Sequence, residues 1–472
     1  MPHLAFLVVP KVKFTVSIII AKNIYIFHRL ISRNKRGEKQ MQRKYLYATT
    51  AIVIIVIAAF AAYWAWQMQP TKQPVTLDFW APFSGEQATT DFWGNVSEAY
   101  KNQTGNTIRI SMYSGDEFFT KLTTALGSGS PPDLFVTYGG GELDTYVNES
   151  AVADISNLYT ESWAQSQIGA GVKDAITRNG KQYALPYELQ TDWLFINRKV
   201  FENANVTIPT MDTGWTWDQF IAASNKIKAA GIAPVAMSGA DTWSLSFPAC
   251  YIHERANGAN TFKNALTRTT NFTDGYTKAY SQLKQWVDAD YFQTGWATTH
   301  FYDAYQYFQA GNAAMFIQGT WAVGMVSDNA NMTLDVVQWP YLPDQPTANK
   351  VIFGSSTNIA VAAASTHMNE AEDFLRFISK PEWQVKYAKD TTGPLAQTVT
   401  LPSGTYPPTM NTVLTAITNT PTLILRYGTM APKDLGATID EQNLLVFTGQ
   451  KSPADAAATI EAKAVQVLGP VQ

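Results

Sequence analysis

Apolar residues along the chain switch between short continuous runs and a helical spacing, several times in succession. Apolar runs at 75–80, 107–112 and 134–137 predict three strands. Between them, the stretches 87–100 and 116–126 predict helices, the second with its apolar residues on one face. Strands that alternate with such helices predict a parallel sheet with right-handed crossovers, and ligands commonly bind at the carboxyl ends of its strands.

The remainder of the chain repeats this alternation with longer helices. The predicted helices are 216–230, 271–288, 302–309, 368–378 and 379–389, and the predicted strands are 313–317 and 335–339. Thr216 and Gln219 have the spacing of a capping box, and Gly231 is placed to end that helix. The whole pattern predicts an α/β protein.

One stretch, Tyr183–Phe201, joins the two halves of this pattern. Pro186 is expected to end regular strand pairing, and the polar segment 187–192 to cross an exposed gap. The apolar run 193–196 would then enter a second sheet. An ordinary strand–loop–strand connection is the alternative for this window alone. If two domains flank the crossing, the gap between them is a common place for a ligand.

A run of 21 residues without a charge, 46–66, precedes these elements. At about 1.5 Å per residue, a helix of this length spans a hydrocarbon core of about 30 Å. Arg43 and Lys44 before it place the N-terminus in the cytoplasm. We therefore expect a single-pass transmembrane helix, a signal anchor, with the globular body on the extracytoplasmic side of the cell membrane. The alternative is a cleaved signal peptide with its processing site at Ala59-Phe60-Ala61.

The residues around this apolar run have separate assignments. Residues 1–45 are interpreted as a basic cytoplasmic extension, and residues 67–74 as a short linker. Met41 opens a complete export signal by itself, so translation could also begin there.

Length and charge refine this picture. A chain of 472 residues exceeds what one core usually supports, so two domains are expected. Ten Lys and Arg residues precede residue 46, against the single acid Glu38, which leaves 25 basic and 37 acidic residues in the remainder. A body this acidic has no general electrostatic footprint for nucleic acid. The single cysteine, Cys250, excludes an intrachain disulfide and makes cysteine-based metal sites implausible.

A search for catalytic and cofactor motifs is negative. The sequence contains no nucleophile elbow, phosphate-binding Gly-Lys-Ser/Thr loop, zinc-binding HExxH or dinucleotide-binding GxGxxG after a strand. The five histidines are scattered, without the spacing of metal ligands. We therefore predict no catalytic residue, no metal site and no cofactor.

Aromatic residues near predicted loops are more informative. Several of these loops combine an aromatic residue with acids or hydroxyls, as in the loops that contain Ser84 and Glu86, Asp116, and Trp243 beside Asp241. An aromatic ring can stack on the apolar face of a pyranose, while carboxylates and hydroxyls bind its hydroxyl groups. Each aromatic taken alone is better explained by packing, but the combination suits sugar recognition.

Several segments then occur in the order of a known family. They are 122–135 (LTTALGSGSPPDLF), 183–201, Thr216-Trp-Asp218, Ala310-Gly-Asn-Ala-Ala-Met315 with Gly319-Thr-Trp321, 353–360 before 370–389 and Gly393-Pro394, and Phe447-Thr-Gly449 with Ser452-Pro453-Ala-Asp-Ala456. From about residue 74 to residue 467, the chain resembles bacterial extracellular solute-binding proteins of family 1, the sugar-binding components of ATP-binding-cassette (ABC) importers. It lacks the lipobox cysteine of many Gram-positive members, and its 40-residue N-terminal extension is additional.

The resemblance implies a two-lobed periplasmic-binding-protein clamshell, type II-like, behind the N-terminal transmembrane helix. One lobe would comprise residues 75–187 and about 354–403, and the other residues 188–353 and about 404–472. The sugar would be held in the cleft between them.

The same resemblance implies a set of ligand-binding positions. Trp321 would take the stacking position. Polar contacts would come from the loop after the first strand (Ser84, Glu86), the loop after the third (Tyr138) and the first crossing (Glu188, Asp192), with Trp243 and the second crossing at Gly354 and Ser355 as further candidates.

The expected function is that of a membrane-tethered receptor that captures a mono- or oligosaccharide and delivers it to ABC permease subunits. We expect it to be a monomer, to lack enzymatic activity and to bind no nucleic acid. The alternatives are a non-sugar solute in the same fold, because the fold does not determine the contents of the cleft, an anchored carbohydrate-active enzyme, or a surface adhesion protein.

Overall fold

The computed structural model describes residues 73–83, 85–326, 331–342, 351–419 and 422–472, together with Tyr47, Thr50, Ala51 and residues 54–61. The chain divides into two units, Met1–Gln73 and Pro74–Gln472. The second unit contains every strand and helix labelled below.

In the first unit, residues 54–61 are helical and exposed. The basic extension up to residue 45, most of the linker and the parts of the predicted anchor at 46–66 other than Tyr47, Thr50, Ala51 and residues 54–61 lie outside the described residues. Among the residues that the structure does describe, no helix has both the length and the apolarity needed to cross a membrane.

The strands of the second unit are β1 Thr76–Ala81, β2 Thr107–Met112, β3 Leu134–Thr137, β4 Thr177–Arg178, β5 Lys181–Gln182, β6 Ala184–Asn197, β7 Ala233–Ala236, β8 Ala313–Gly319, β9 Leu334–Val337, β10 Val351–Val361 and β11 Thr422–Leu425. The helices are α1 Gln87–Thr104, α2 Gly115–Gly127, α3 Gly140–Asn148, α4 Ser162–Gln167, α5 Ala170–Ala175, α6 Arg198–Asn203, α7 Trp217–Ala229, α8 Trp243–Asn257, α9 Thr261–Leu266, α10 Thr273–Asp288, α11 Phe301–Gln309, α12 Trp321–Met325, α13 Met368–Ile378, α14 Pro381–Thr391, α15 Pro408–Asn419, α16 Tyr427–Met430, α17 Lys433–Phe447 and α18 Pro453–Leu468. Two 3-10 helices, Ser156–Thr160 and Trp296–Thr298, complete the described elements.

The main sheet has the order β2-β1-β3-β10-β6-β8-β7, with β11 paired to β10 and β9 paired to β6. Strand β1 pairs in parallel with both β2 and β3, which confirms the parallel arrangement predicted from the first three strands. Strands β6 and β10, which we call the central strands, run antiparallel to each other.

The central strands correct the prediction for 183–201. Strand β6 is continuous through Pro186, which lies opposite Asn358 on β10. The register shifts at this point, so the missing N–H of the proline falls at a bulge, where a sheet tolerates it. The polar segment is not an exposed gap: Glu188 is 5% exposed and Asp192 is fully buried. The prediction failed because the partner strand, β10, is distant in sequence.

Hydrophobic packing falls into two regions. The first core contains buried residues from 77–187 and 359–387. The second core consists of two adjoining clusters from 193–353 and 388–464. Residues of the central strands take part in both cores. The lobe boundaries given above stay predictions.

Other local predictions had mixed outcomes. The capping box of Thr216 and Gln219 is present at the start of α7. Strand β8 is longer than predicted, extending to Gly319, and Trp321 begins helix α12. Helix α8 was not predicted. Its residues 244–256 are all buried, so it lacks the one-sided pattern by which a helix is recognised.

Candidate functional site

The predicted binding residues gather where the central strands pass between the two cores. At the bulge, Glu188 lies opposite Thr357 and Pro186 lies opposite Asn358, so Tyr187 has no partner in the register. A bulge can bring two consecutive side chains to one side of a strand. Here, Tyr187 packs against Tyr387 with ring centroids 5.6 Å apart, and Glu188 also interacts with the Tyr387 side chain.

Glu188 is surrounded by neutral hydrogen-bond donors. Its carboxylate accepts hydrogen bonds from Gln190 Nε2 and Thr357 Oγ1, each at 3.2 Å. Burial raises the pKa of Glu188, and these hydrogen bonds oppose the rise only in part. Glu188 therefore has a weakened tendency to ionise unless a ligand supplies further donors.

Glu86, the residue directly before α1, lies near Glu188. It accepts a hydrogen bond from Thr89 Oγ1 at 3.0 Å. Burial, and secondly the charge of Glu188, raise the pKa of Glu86 to about 7. We call Glu86 and Glu188 the acid pair.

Asp192 forms an ion pair with Arg426, a residue that sequence reasoning missed. The Arg426 guanidinium donates from Nε to both carboxylate oxygens of Asp192, at 2.9 and 2.8 Å, and from Nη2 at 2.5 Å. Its Nη1 donates to Ser355 Oγ at 2.6 Å. Burial would lower the pKa of Arg426, but the Asp192 carboxylate outweighs burial and raises it, so the guanidinium stays charged.

Arg426 also forms part of an aromatic cluster. Its guanidinium carbon lies 5.3 Å from the centroid of the Trp321 ring and 5.0 Å from that of Phe247, within the range of cation–π attraction. Trp243, the first residue of α8, packs on Trp321 edge to face with centroids 6.2 Å apart. The Trp321 side chain is only partly buried, so an aromatic surface remains available beside the ion pair.

Tyr138, in the loop after β3, lies near both the acid pair and Arg426. Burial raises the pKa of Tyr138, the nearby glutamates add to the rise, and Arg426 opposes it. The Tyr138 ring packs near Phe119, with centroids 6.1 Å apart, on the side of the first core.

The structure thus brings together most of the predicted set. It groups Glu86, Tyr138, Glu188, Asp192, Ser355, Trp243 and Trp321. Gly354 contributes backbone next to Ser355, paired with Thr191 and Leu425. Ser84 lies outside the described residues, as does the side chain of Asp116.

Sequence reasoning missed several residues of the site, among them Arg426, Tyr387 and Tyr302. Arg426 directly follows the apolar strand β11, and a lone cation after such a run is a usable signal. Tyr387 lies on α14, and nothing in the sequence distinguishes it from an ordinary helical residue. The Tyr302 hydroxyl lies 3.0 Å from the position that a Gly85 β-carbon would take, so Tyr302 packs tightly on the loop before α1.

Two surface cavities lie elsewhere. One, of about 390 Å³, is bordered by Thr123, Tyr146 and Lys433, and the other, of about 360 Å³, by Asp144 and Arg178. No predicted binding residue lines either cavity. In the part of the chain that the structure describes, no group of three His, Cys, Asp or Glu side chains is arranged to hold a metal ion.

Comparison with protein families identifies the architecture. Residues 85–385 match the family described as bacterial extracellular solute-binding protein. The chain belongs to this family. The match starts just before Glu86 and ends within α14, so it contains the acid pair and Trp321 but not Arg426.

Individual relatives of this solute-binding protein are distant in sequence. An uncharacterized ABC transporter extracellular-binding protein of Pyrococcus horikoshii is 21% identical over 424 residues, covering 85% of this chain and 92% of the relative. A multiple sugar-binding protein of Streptococcus mutans is 21% identical over 306 residues, covering 61% of this chain and 68% of the relative.

Among solved structures, a chitin oligosaccharide binding protein superimposes with a TM-score of 0.76 at 18% identity. The likeness covers 83% of this chain and 98% of that protein. At this identity the likeness establishes that this solute-binding protein has the α/β fold of the family.

Proposed function

We propose that this solute-binding protein captures a saccharide between its two cores and delivers it to an ABC permease. The observation that carries the proposal is the partly exposed Trp321 ring held beside the buried Asp192–Arg426 ion pair. The names of two relatives support it, one as an ABC transporter extracellular-binding protein and the other as a multiple sugar-binding protein.

The chemistry of the site suits a sugar ring. The indole of Trp321 offers a flat surface for the C–H face of a pyranose. Tyr138, Ser355 and the acid pair supply hydroxyl and carboxylate groups for the sugar hydroxyls. Ser84 and Asp116 remain proposed contacts from neighbouring loops. The protein binds its solute in this account and does not convert it.

We further propose that the protein is a two-lobed clamshell that closes on the ligand. The lobes are residues 75–187 with about 354–403, and residues 188–353 with about 404–472. The separation of the first and second cores supports this division, and the central strands are the connections that a hinge rotation would bend.

We also propose that residues 46–66 anchor the protein in the membrane. It is supported by the 21-residue uncharged run with Arg43 and Lys44 before it. The body would act as a monomer at the outer face of the cell membrane, beside its permease. A mature N-terminus near Ala62 in the exported protein would replace the anchor with a cleaved signal and leave the receptor function intact.

A thermal-shift screen of the full chain against mono- and oligosaccharides tests the function. A ligand at 100 times its Kd adds about 2.7 kcal/mol to the free energy of unfolding, which is readily seen. We expect at least one saccharide to stabilise the protein and to be recovered chemically unchanged. Stabilisation by non-sugar solutes alone, or hydrolysis of the saccharide, would contradict the proposal.

A further inference from the structure

The acid pair, Glu86 and Glu188, brings two carboxylates together from different parts of the fold. Glu86 precedes α1 and Glu188 lies on β6, 102 positions along the printed sequence. Glu188 is 5% exposed, and its charge contributes to the raised pKa of Glu86. The negative charge of one carboxylate disfavours ionisation of the other, so the pair favours an approaching cation.

No cation of the described residues pairs with these carboxylates. The hydrogen bonds that reach them come from the neutral groups of Thr89, Gln190, Thr357 and Tyr387. The charge of Arg426 does act on Glu188, but its guanidinium is already bound to Asp192. The guanidinium is thus shared between Asp192, which it binds, and Glu188, which only feels its charge. Buried carboxylates without a paired cation are costly, and such groups are usually paired.

The remaining groups around the pair favour a cation as well. They are Tyr138 after β3, Tyr187 on β6, Tyr302 on α11, Tyr387 on α14, Tyr406 before α15 and Arg426 before α16. All but Arg426 are tyrosines. Tyrosine rings attract a nearby ammonium group through their faces, and their hydroxyl oxygens can accept its hydrogen bonds.

One of these tyrosines lacks a hydrogen-bond partner. Tyr187 is 3% exposed, and its hydroxyl has no partner among the described residues. The Tyr187 ring packs against Tyr387, whose side chain interacts with Glu188, and the charges of both carboxylates add to the raised pKa of the Tyr187 hydroxyl. A buried hydroxyl left without a partner costs free energy, so it marks a position that a polar ligand group would complete.

We infer that this protein selects saccharides that carry a protonated amine, which binds between Glu86 and Glu188 beside the Tyr187 hydroxyl. The inference rests on the proposed saccharide-binding function and concerns the class of sugar. An ammonium group supplies three donors and the positive charge that the pair lacks. An acetamide or hydroxyl at the same carbon supplies donors without the charge.

Proton release follows from the same arrangement. Because the pKa of Glu86 is raised to about 7, Glu86 is mostly protonated at about pH 6.5 in the free protein. A bound ammonium group stabilises the ionised carboxylate, so binding releases protons. A neutral saccharide that accepts a hydrogen bond from the protonated carboxyl releases none.

The test uses calorimetric titration of the full chain with matched sugars. The probes are glucosamine, galactosamine and the β-1,4-linked glucosamine disaccharide, each beside its N-acetylated and its 2-hydroxyl counterpart. We expect one amino sugar to bind at least about tenfold more tightly than both counterparts, as a charged hydrogen bond of 1.5–3 kcal/mol implies. Titrations near pH 6.5 in two buffers of different ionisation enthalpy should show net proton release.

Variants separate the inference from a loss of folding. Glu86→Gln should lose about tenfold or more of the preference for the amino sugar, together with the proton release. Glu98→Gln, an exposed change of the same kind on α1, should alter neither. A melt of each variant checks the fold.

The outcomes distinguish this inference from the function on which it rests. Equal or tighter binding of the neutral counterparts, or amine binding without proton release, would overturn the inference while leaving saccharide capture in place. If no saccharide of any kind binds, both the inference and the proposed function fail.

Discussion

The six-membered ring of Trp321 lies directly over Gly319, in the space that a β-carbon of residue 319 would occupy. Gly319 ends strand β8 and is fully surrounded, so the absence of its side chain fixes the position of the indole. The site thus depends on a residue that contributes no functional group of its own.

Gly319→Ala should displace the Trp321 ring. We expect a loss of ligand affinity of about tenfold or more, with a cost of about 1–3 kcal/mol in the free energy of unfolding, as overpacking usually gives. Gly94→Ala is the control, because a β-carbon there meets nothing within 4 Å and should slightly stabilise α1. Unchanged affinity in Gly319→Ala would show that the indole position does not matter for binding.

Breaking the Asp192–Arg426 pair should strongly destabilise the protein. Asp192→Asn leaves the mostly buried guanidinium without a counter-charge, and we expect a cost of about 3–5 kcal/mol in denaturant unfolding. Asp288→Asn removes the partner of Lys284 in an exposed pair, and should change stability by less than about 0.5 kcal/mol. Similar small effects in both variants would contradict the account of this ion pair.

The buried carboxyl group of Asp440 should make the stability of the protein depend on pH. Burial raises the pKa of Asp440 from 3.8 to about 7, although Ser246 donates a hydrogen bond to it. The folded state therefore holds more protons than the unfolded state between these values, so the contribution of Asp440 to stability falls as pH rises from about 4 to about 7.

Melts across this pH range check the prediction. Asp440→Asn cannot titrate and should show a flatter dependence of melting temperature on pH than the wild type. Asp434→Asn, at an exposed position on α17, should follow the wild-type curve. Parallel curves for wild type and Asp440→Asn would exclude the predicted protonation.

Ligand should shift the protein toward a closed form. The two cores touch where Tyr302 meets Gly85 and where Lys433 Nζ donates to Thr123 Oγ1 at 3.2 Å, while the central strands provide a narrow connection. Small-angle scattering with and without a saturating saccharide should show a smaller radius of gyration in its presence. An unchanged radius at saturation would exclude closure.

Local patterns in the sequence were sufficient for much of the fold. Strands β2 and β3 have the predicted bounds, as does helix α13, because their apolar runs and amphipathic faces are local signals. The error at Pro186 has a tertiary cause. The pairing of β6 with β10 is decided by residues far along the chain, which no local window contains.

The candidate site shows the same division. Trp321, Glu86 and Glu188 were predicted because their segments resemble a known family and mix aromatic with acidic residues. Arg426 was missed because its partner Asp192 lies 234 positions away. Asp192 was predicted as a free contact for the ligand, but in the structure it forms an ion pair with Arg426.

Calorimetric titration of wild type and Trp321 variants, with a saccharide that stabilises the wild type, is the strictest test of saccharide binding at this site. Because Trp321 is only partly buried, Trp321→Ala should bind far more weakly yet melt within a few degrees of wild type. Trp321→Phe should keep part of the affinity, since it retains an aromatic face. Wild-type affinity in Trp321→Ala, or binding lost only together with about 3–5 kcal/mol of stability as for a core tryptophan, would contradict a saccharide stacked on this residue.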